Sequence, residues 1–300
     1  MIIAILLVLA QAVKFSYDNL ILPVHRRHVK LEKQVKQVRI LVSNDDGVYS
    51  DGLWALAQQL SQIADVTIVA PDREQSAVGT AVSLRKPLRV QKISPLVAGL
   101  NAYGVEGSPS DAVIVGLGKL IRGKVDLVIS GINQGSNLGE DVLISGTVGA
   151  ALAGYLRGFP AIAVSCYHNR WTEPYLKEVA RFTVLLVKRI GTIGNPDNLF
   201  LNVNMPDLPM ADVKGIKITS LAHRSHVNTV EEGHDGRRTY YTLIRESVNT
   251  QVDPHSDIWE SIRGNISITP LRLFLNNRVP RSLLEKITSG LLEEFRTGSR

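Results

Sequence analysis

Asp45 and Asp46 stand side by side in the stretch RILVSNDDGVYSDG, just after an oily run and just before a glycine. Adjacent carboxylates repel, and an ordinary turn needs only one Asp or Asn to bond its own backbone. The pair is therefore expected to face a positive charge. Three more polar, glycine-rich stretches offer similar chemistry: APDREQSAVG with Asp72, Arg73 and Ser76, INQGSNLGEDV with Asn133 and Asn137, and the triplet Ser145-Gly146-Thr147. Carboxylate, hydroxyl and amide oxygens are hard donors, the set that Mg²⁺, Mn²⁺ or Ca²⁺ prefers, and no Cys or His is required. Each feature also has a plainer reading. Asp45 alone would cap a helix beginning near Gly52, and Asp46 would form an Asx turn. Ser145-Gly146-Thr147 suits an N-cap as well as a phosphate cradle, where free amides and the helix dipole favour an anion.

These loops need elements to position them. From Val38 onward, apolar β-rich runs alternate with helical patterns, the order that predicts an α/β fold: a Rossmann-like, mostly parallel sheet flanked by helices. VRILVS reads as the first strand, DGLWALAQQLSQI as a helix with Leu53, Leu56, Ala57, Leu60 and Ile63 at helical spacing, and DVTIVAP as the second strand. YGVEG, VDLVISG, PAIAVS and NLFLNVNMP read as further strands, and SPSDAVIVGLGKLI, GTVGAALAGYLRG and EPYLKEVARFTVLLVKRI as helices. In open α/β sheets ligands bind beyond the carboxyl ends of the strands, where the polar loops fall. After about Gly215 the runs GIKITS, RRTYYTLIRESV and NISITPL predict a C-terminal β-hairpin appendage, and SLLEKITSGLLEEFR predicts a closing helix. The expected organisation is a leader and linker over residues 1–37 and a single domain over 38–300, with its α/β core at about 38–214 and the arm and closing helix at about 215–300.

Three hundred residues with 44% hydrophobic content allow a sizeable core. The net charge of +6 comes without aromatic residues interleaved in a dense basic stripe, which argues against a stable nucleic-acid partner and is mildly favourable to phosphorylated substrates. The single Cys166 excludes an intramolecular disulfide and a multi-cysteine zinc site, and its place after AIAVS reads as strand-end packing. The opening MIIAILLVLAQA is oily and ends like a cleavage site, yet no Lys or Arg precedes it, and it is shorter than the roughly 20 residues a spanning helix needs. A cytoplasmic location with no membrane contact is expected, with the leader leaving export or anchoring open.

Taken in order, ILVSNDDG, VAPDREQSAVG, GSPSDAV, VISGINQGSNLGEDV, SGTVGAAL and SITPL resemble the survival protein E (SurE) family of nucleotidases, over roughly Val38 to Leu271. The resemblance implies a divalent-metal-dependent phosphomonoesterase acting on nucleoside 5′- or 3′-monophosphates, in some members also on polyphosphate, with Mg²⁺ or Mn²⁺ as cofactor. Its metal ligands fall on Asp45, Asp46, Ser76 and Asn133. A divalent ion so held polarises a phosphoryl oxygen and helps generate hydroxide from water. Asp45 or Asp46 would take the water's proton, and Asn44, Asn137, Ser145, Gly146 and Thr147 would hold substrate oxygens. The family also implies a homodimer or homotetramer through the hairpin arm. Three positions depart from its usual pattern: Asp51 for Pro, Ile144 for Tyr and Asn265 for Tyr. His223, His226 and His234 in the arm read as solvated loop histidines. A haloacid-dehalogenase-type phosphatase is disfavoured because it needs two aspartates separated by one residue. A nonenzymatic nucleotide- or polyanion-binding protein would not require a four-loop oxygen cluster, and the first βα turn lacks G-x-G-x-x-G.

Overall fold

A computed structural model describes residues 38–272 apart from 168–170, 195, 197, 224–225 and 248–251, together with 282 and 289. The apolar leader and nearly all of the expected closing helix lie outside the described residues. The first unit runs β1 (Arg39–Ser43), α1 (Asp51–Leu60), β2 (Asp65–Pro71), as the sequence pattern predicts. There follow β3 (Val90–Ile93), β4 (Asn101–Val105), α2 (Pro109–Val115), β5 (Leu127–Gln134), α3 (Gly146–Tyr155), β6 (Ala161–Cys166), α4 (Glu173–Thr192) and β7 (Phe200–Asn204). The chain then gives β8 (Gly215–Ile218), β9 (His226–His234), β10 (Thr239–Ser247), α5 (Asp257–Ile262) and β11 (Asn265–Pro270).

Nine strands form one sheet in the order β3-β4-β2-β1-β5-β6-β7-β11-β8. The six from β4 to β7 are mutually parallel. Successive residues of β1 feed opposite faces: Ile40 and Val42 join a core with α1 and α4, whereas Leu41 joins one with α2 and α3. That two-sided burial is why the strands read as near-continuous apolar runs. α1 is held by Leu53, Leu56 and Leu60, all fully buried at helical spacing. Truncating Leu56 to Ala would cost about 2–5 kcal/mol by the usual cavity penalty.

The sheet extends further than the expected core. β11 pairs antiparallel with β7 and parallel with β8, so GIKITS and NISITPL complete the main sheet, and only β9 and β10 form the separate two-stranded hairpin. Alternation marks a strand but not its partner, and the β8–β11 pairing spans the whole hairpin. Chain order reverses at β1: β2 and β4 lie to one side, β5 and β6 to the other. A doubly wound sheet opens its binding crevice at such a point, beyond the carboxyl ends of β1 and β5. No helix among the described residues is long and apolar enough to cross a membrane.

Candidate active site at the β1–β5 crevice

The four polar loops meet where the topology opens the sheet. Asp45 and Asp46 follow β1, and Asn133 sits near the end of β5, beside it. The loop after β2 is stitched to the first one: Gln75 N–H donates to Asp45 O at 2.7 Å and Val48 N–H to Pro71 O at 2.8 Å. The Trp54 indole of α1 fixes the far end by donating to Val48 O at 2.8 Å. Asn44 is fully buried; its amide donates to Gly47 O at 3.0 Å, and its Oδ1 has no hydrogen-bond partner among the described residues.

Asp45 does not cap α1, whose N-cap is Ser50. It faces the start of α3 instead. The Thr147 hydroxyl donates to Asp45 Oδ1, and the Thr147 amide also bonds the carboxylate. Gly146 is bare because of this approach: a Cβ there would lie 2.7 Å from Asp45 Cβ and 2.9 Å from Oδ2. The helix-start position expected to cradle phosphate thus also holds a protein carboxylate, an anion suited to the positive end of the dipole. Ser145 serves as the N-cap, accepting from Val148 N–H at 3.1 Å.

Asp46 lines an open cleft of about 510 Å³ together with Glu74 and Ser76. Its Oδ2 accepts from Gln134 N–H at 3.4 Å. Ser76 donates its hydroxyl to Glu74 Oε1 at 2.7 Å, which leaves the serine oxygen's lone pairs for another partner. Asn133 donates its amide to Gly135 O at 2.7 Å, leaving Oδ1 as an acceptor. Asn137 is turned inward. Its side chain donates to Ser165 Oγ at 2.9 Å, its N–H to Asn204 Oδ1 at 2.8 Å, and its carbonyl accepts from Asn202 and Asn204. These bonds give Asn137 the work of fixing the loop, with its amide nitrogen engaged by Ser165.

Burial pushes both aspartate carboxyls up. For Asp46, desolvation comes first and the charge of Asp45 second, and together with Glu74 they push it up to about 7. Desolvation likewise raises Asp45 against the lowering bonds from Thr147. A buried Asp45 and a half-buried Asp46, with the exposed Glu74 nearby, bring like charges together at the crevice, a repulsion that a divalent ion would relieve. The donors fit such an ion, since every unengaged atom named here is an oxygen. Among the described residues no three His, Cys, Asp or Glu gather in metal-binding geometry, so hydroxyl and amide oxygens must complete the set. Cys166 contributes nothing ionic; burial pushes its thiol up to about 12, and it packs at the end of β6 as expected.

Glu74, Gln134 and the buried pair Asn202 and Asn204 are the site residues that sequence reasoning did not select. A signal for two of them exists: NLFLNVNMP places asparagines at the end of an otherwise apolar strand. Asp257 of α5 was also missed; it accepts from Gly139 N–H at 2.8 Å and Ala222 N–H at 2.9 Å, tying the third loop to the chain after β8.

The family model of Survival protein SurE matches residues 40–228. The chain is 52% identical over 259 residues to a protein of Dehalococcoides mccartyi called 5′-nucleotidase SurE, covering 86% of this chain and 98% of that one. It is 42% identical over 250 residues to the 5′-nucleotidase SurE of Geobacter sulfurreducens, covering 83% and 93% of the two chains. The crystal structure of the SurE protein from Aquifex aeolicus superposes with a TM-score of 0.70 at 34% identity, over 83% of this chain and 99% of that one.

Proposed function

Because the chain belongs to the Survival protein SurE family, we propose that it acts as a 5′-nucleotidase, a metal-dependent phosphomonoesterase releasing phosphate from nucleoside monophosphates. The observation that carries this reading is the pairing of a buried Asp45 with a half-buried, cleft-lining Asp46 at the β1–β5 crevice, with Ser76 and Asn133 offering neutral oxygens from the neighbouring loops. Asp45, Asp46, Ser76 and Asn133 would hold Mg²⁺ or Mn²⁺. Such an ion, when bound, supplies positive charge for the phosphoryl oxygens and lowers the pKa of water.

The protein's own groups divide the remaining work. Asp45 is fixed by Thr147 and serves as the rigid carboxylate of the site. Asp46 borders the open cleft, so it is the carboxylate placed to take the proton of the attacking water. The start of α3, with its bare Gly146 and the cap at Ser145, would bring the positive end of the helix dipole toward the phosphate oxygens. No Ser–His–Asp arrangement is needed, and the adjacency of the two aspartates disfavours a covalent phosphoaspartate.

Hydrolysis of 3′-nucleotides and short polyphosphate, a cytoplasmic location and a homodimer or homotetramer built on the hairpin are the finer parts of this proposal. The deciding assay is phosphate release from a panel of 5′- and 3′-nucleotides and polyphosphate, first with excess chelator and then with Mg²⁺ or Mn²⁺ restored. Metal-restored release from nucleotides is expected. Full activity in chelator, with metal loss verified, would sink the metal-dependent mechanism.

A further inference from the structure

We propose that Tyr49 and Trp171 form the nucleobase subsite, holding the base by stacking while the phosphate lies at the Asp46–Ser76 end of the same cleft. This rests on the nucleotidase reading above and supplies what that reading leaves open, namely the groups that recognise the far end of the substrate. The cleft of about 510 Å³ that exposes Asp46 and Ser76 is also walled by Tyr49, Asp51, Gln134 and Trp171. Sites for small organic ligands run about 300–1,000 Å³, so the space suits a mononucleotide.

Both aromatic rings present surface to the cleft. Tyr49 is 61% exposed, only three positions after Asp46. Trp171 precedes α4, and its indole lies against the first turn of α1: a Cβ on Gly52 would sit 2.5 Å from the ring. Gly52 thus stays bare where the ring comes down beside the active-site loop. Trp171 and Asp51 also border a second cavity of about 290 Å³ on the side of Trp54 and Leu176. The indole packs against the core through part of its surface and borders open space on two sides with the rest. Phosphate and ribose can be held by charge and hydrogen bonds, but a base presents flat π faces, which aromatic side chains bind whatever the base. Asp51 brings acceptor oxygens for ribose hydroxyls into the same wall. Gln134 adds an amide able to donate and accept at a base edge.

The test compares adenosine 5′-monophosphate with ribose 5-phosphate, which keeps the phosphate and sugar and lacks the base. In the wild type the nucleotide is expected to have the lower KM. Tyr49→Ala and Trp171→Ala should each shrink that preference about tenfold or more, through KM rather than kcat, and Trp171→Phe should restore most of it. Binding is read separately by tryptophan fluorescence, where the nucleotide, and not ribose 5-phosphate, should quench a signal that Trp171→Phe removes. Equal losses on both substrates, or an unchanged preference in both alanine variants, would overturn the subsite. Base-dependent quenching in a protein that releases no phosphate from either compound would uphold the subsite and sink the nucleotidase reading instead.

Discussion

Thr147, on the first turn of α3, donates its hydroxyl to Asp45, which stands 102 residues earlier at the end of β1. The contact joins two of the four loops and engages the hydroxyl of Thr147, a residue expected to hold substrate oxygens, with a proposed metal ligand. A hydrogen bond to a charged group contributes about 1.5–3 kcal/mol. Thr147→Val, which keeps the shape and removes the donor, should therefore weaken Mn²⁺ affinity roughly tenfold to a hundredfold, and turnover with it. Thr147→Ser should recover most of both. Calorimetry showing wild-type Mn²⁺ affinity in the valine variant, alongside weaker inhibition by phosphate, would return the hydroxyl to the substrate.

Proton release on metal binding follows from Asp46. Its carboxyl, with an ordinary value of 3.8, is pushed up to about 7 by desolvation and then by Asp45. The folded, metal-free protein thus binds more protons than the unfolded chain between those values. Its stability should fall as pH rises through that window, and a bound cation should displace the protons. Calorimetric titration with Mn²⁺ in buffers of different ionisation heat should show proton release near about pH 6 and much less near about pH 8. Equal release at both would mean that Asp46 is already ionised in the metal-free site.

Removing one of the crowded charges should separate stability from activity. Asp46→Asn takes a desolvated carboxylate away from Asp45 and keeps the side chain's size. The metal-free protein should unfold a few degrees higher at about pH 8, while phosphate release falls by a factor on the order of 10²–10⁴. Asp45→Asn should also lose turnover, with less gain in stability because Thr147 already stabilises that carboxylate. Near-wild-type rates in both variants would make the aspartate pair structural.

The pattern of what was legible follows the range of the interactions. Strands β1, β2, β5 and β6 and helix α4 were readable because their apolar periodicity is local and strong. Strand β3 was not, since three of its four residues are exposed and it lies at the sheet edge, so burial imposes no alternation on it. The candidate donors could be picked out by type, because they cluster in polar stretches at or beyond the carboxyl ends of apolar strands. Which donor meets which was not, because those meetings are set by the crossing of loops. Asn137 looks like a substrate ligand in a Gly-rich loop, yet Ser165 of β6 claims its side chain. Glu74 looks like an ordinary surface acid until Ser76 folds back onto it.

Glu74 has a consequence that can be measured. A serine hydroxyl can offer its oxygen to a cation only if its proton has another acceptor, and Glu74 Oε1 is that acceptor at 2.7 Å. Glu74→Gln keeps an acceptor oxygen and removes one negative charge, so Mn²⁺ affinity should drop only severalfold. Glu74→Ala removes both and should cost tenfold or more. Identical affinities in the two variants would show that Ser76 orients without help from Glu74.

The hairpin carries the last prediction. On β9 and β10, Val230 is 61% exposed, Tyr240 52%, Tyr241 65% and Leu243 73%, on a two-stranded sheet paired along nine residues. An isolated two-stranded hairpin is marginal in water, and the exposed apolar surface that Val230, Tyr241 and Leu243 share on one face marks a protein contact. A second copy of the chain is the expected occupant, giving a homodimer or larger homo-oligomer. Light scattering on the full chain should report a multiple of 32.9 kDa. Tyr241→Glu combined with Leu243→Glu should shift it toward the monomer without altering metal affinity, since neither residue lies in the β1–β5 loops. A wild-type mass of one chain at assay concentrations, or a double variant that assembles as before, would place the contact elsewhere.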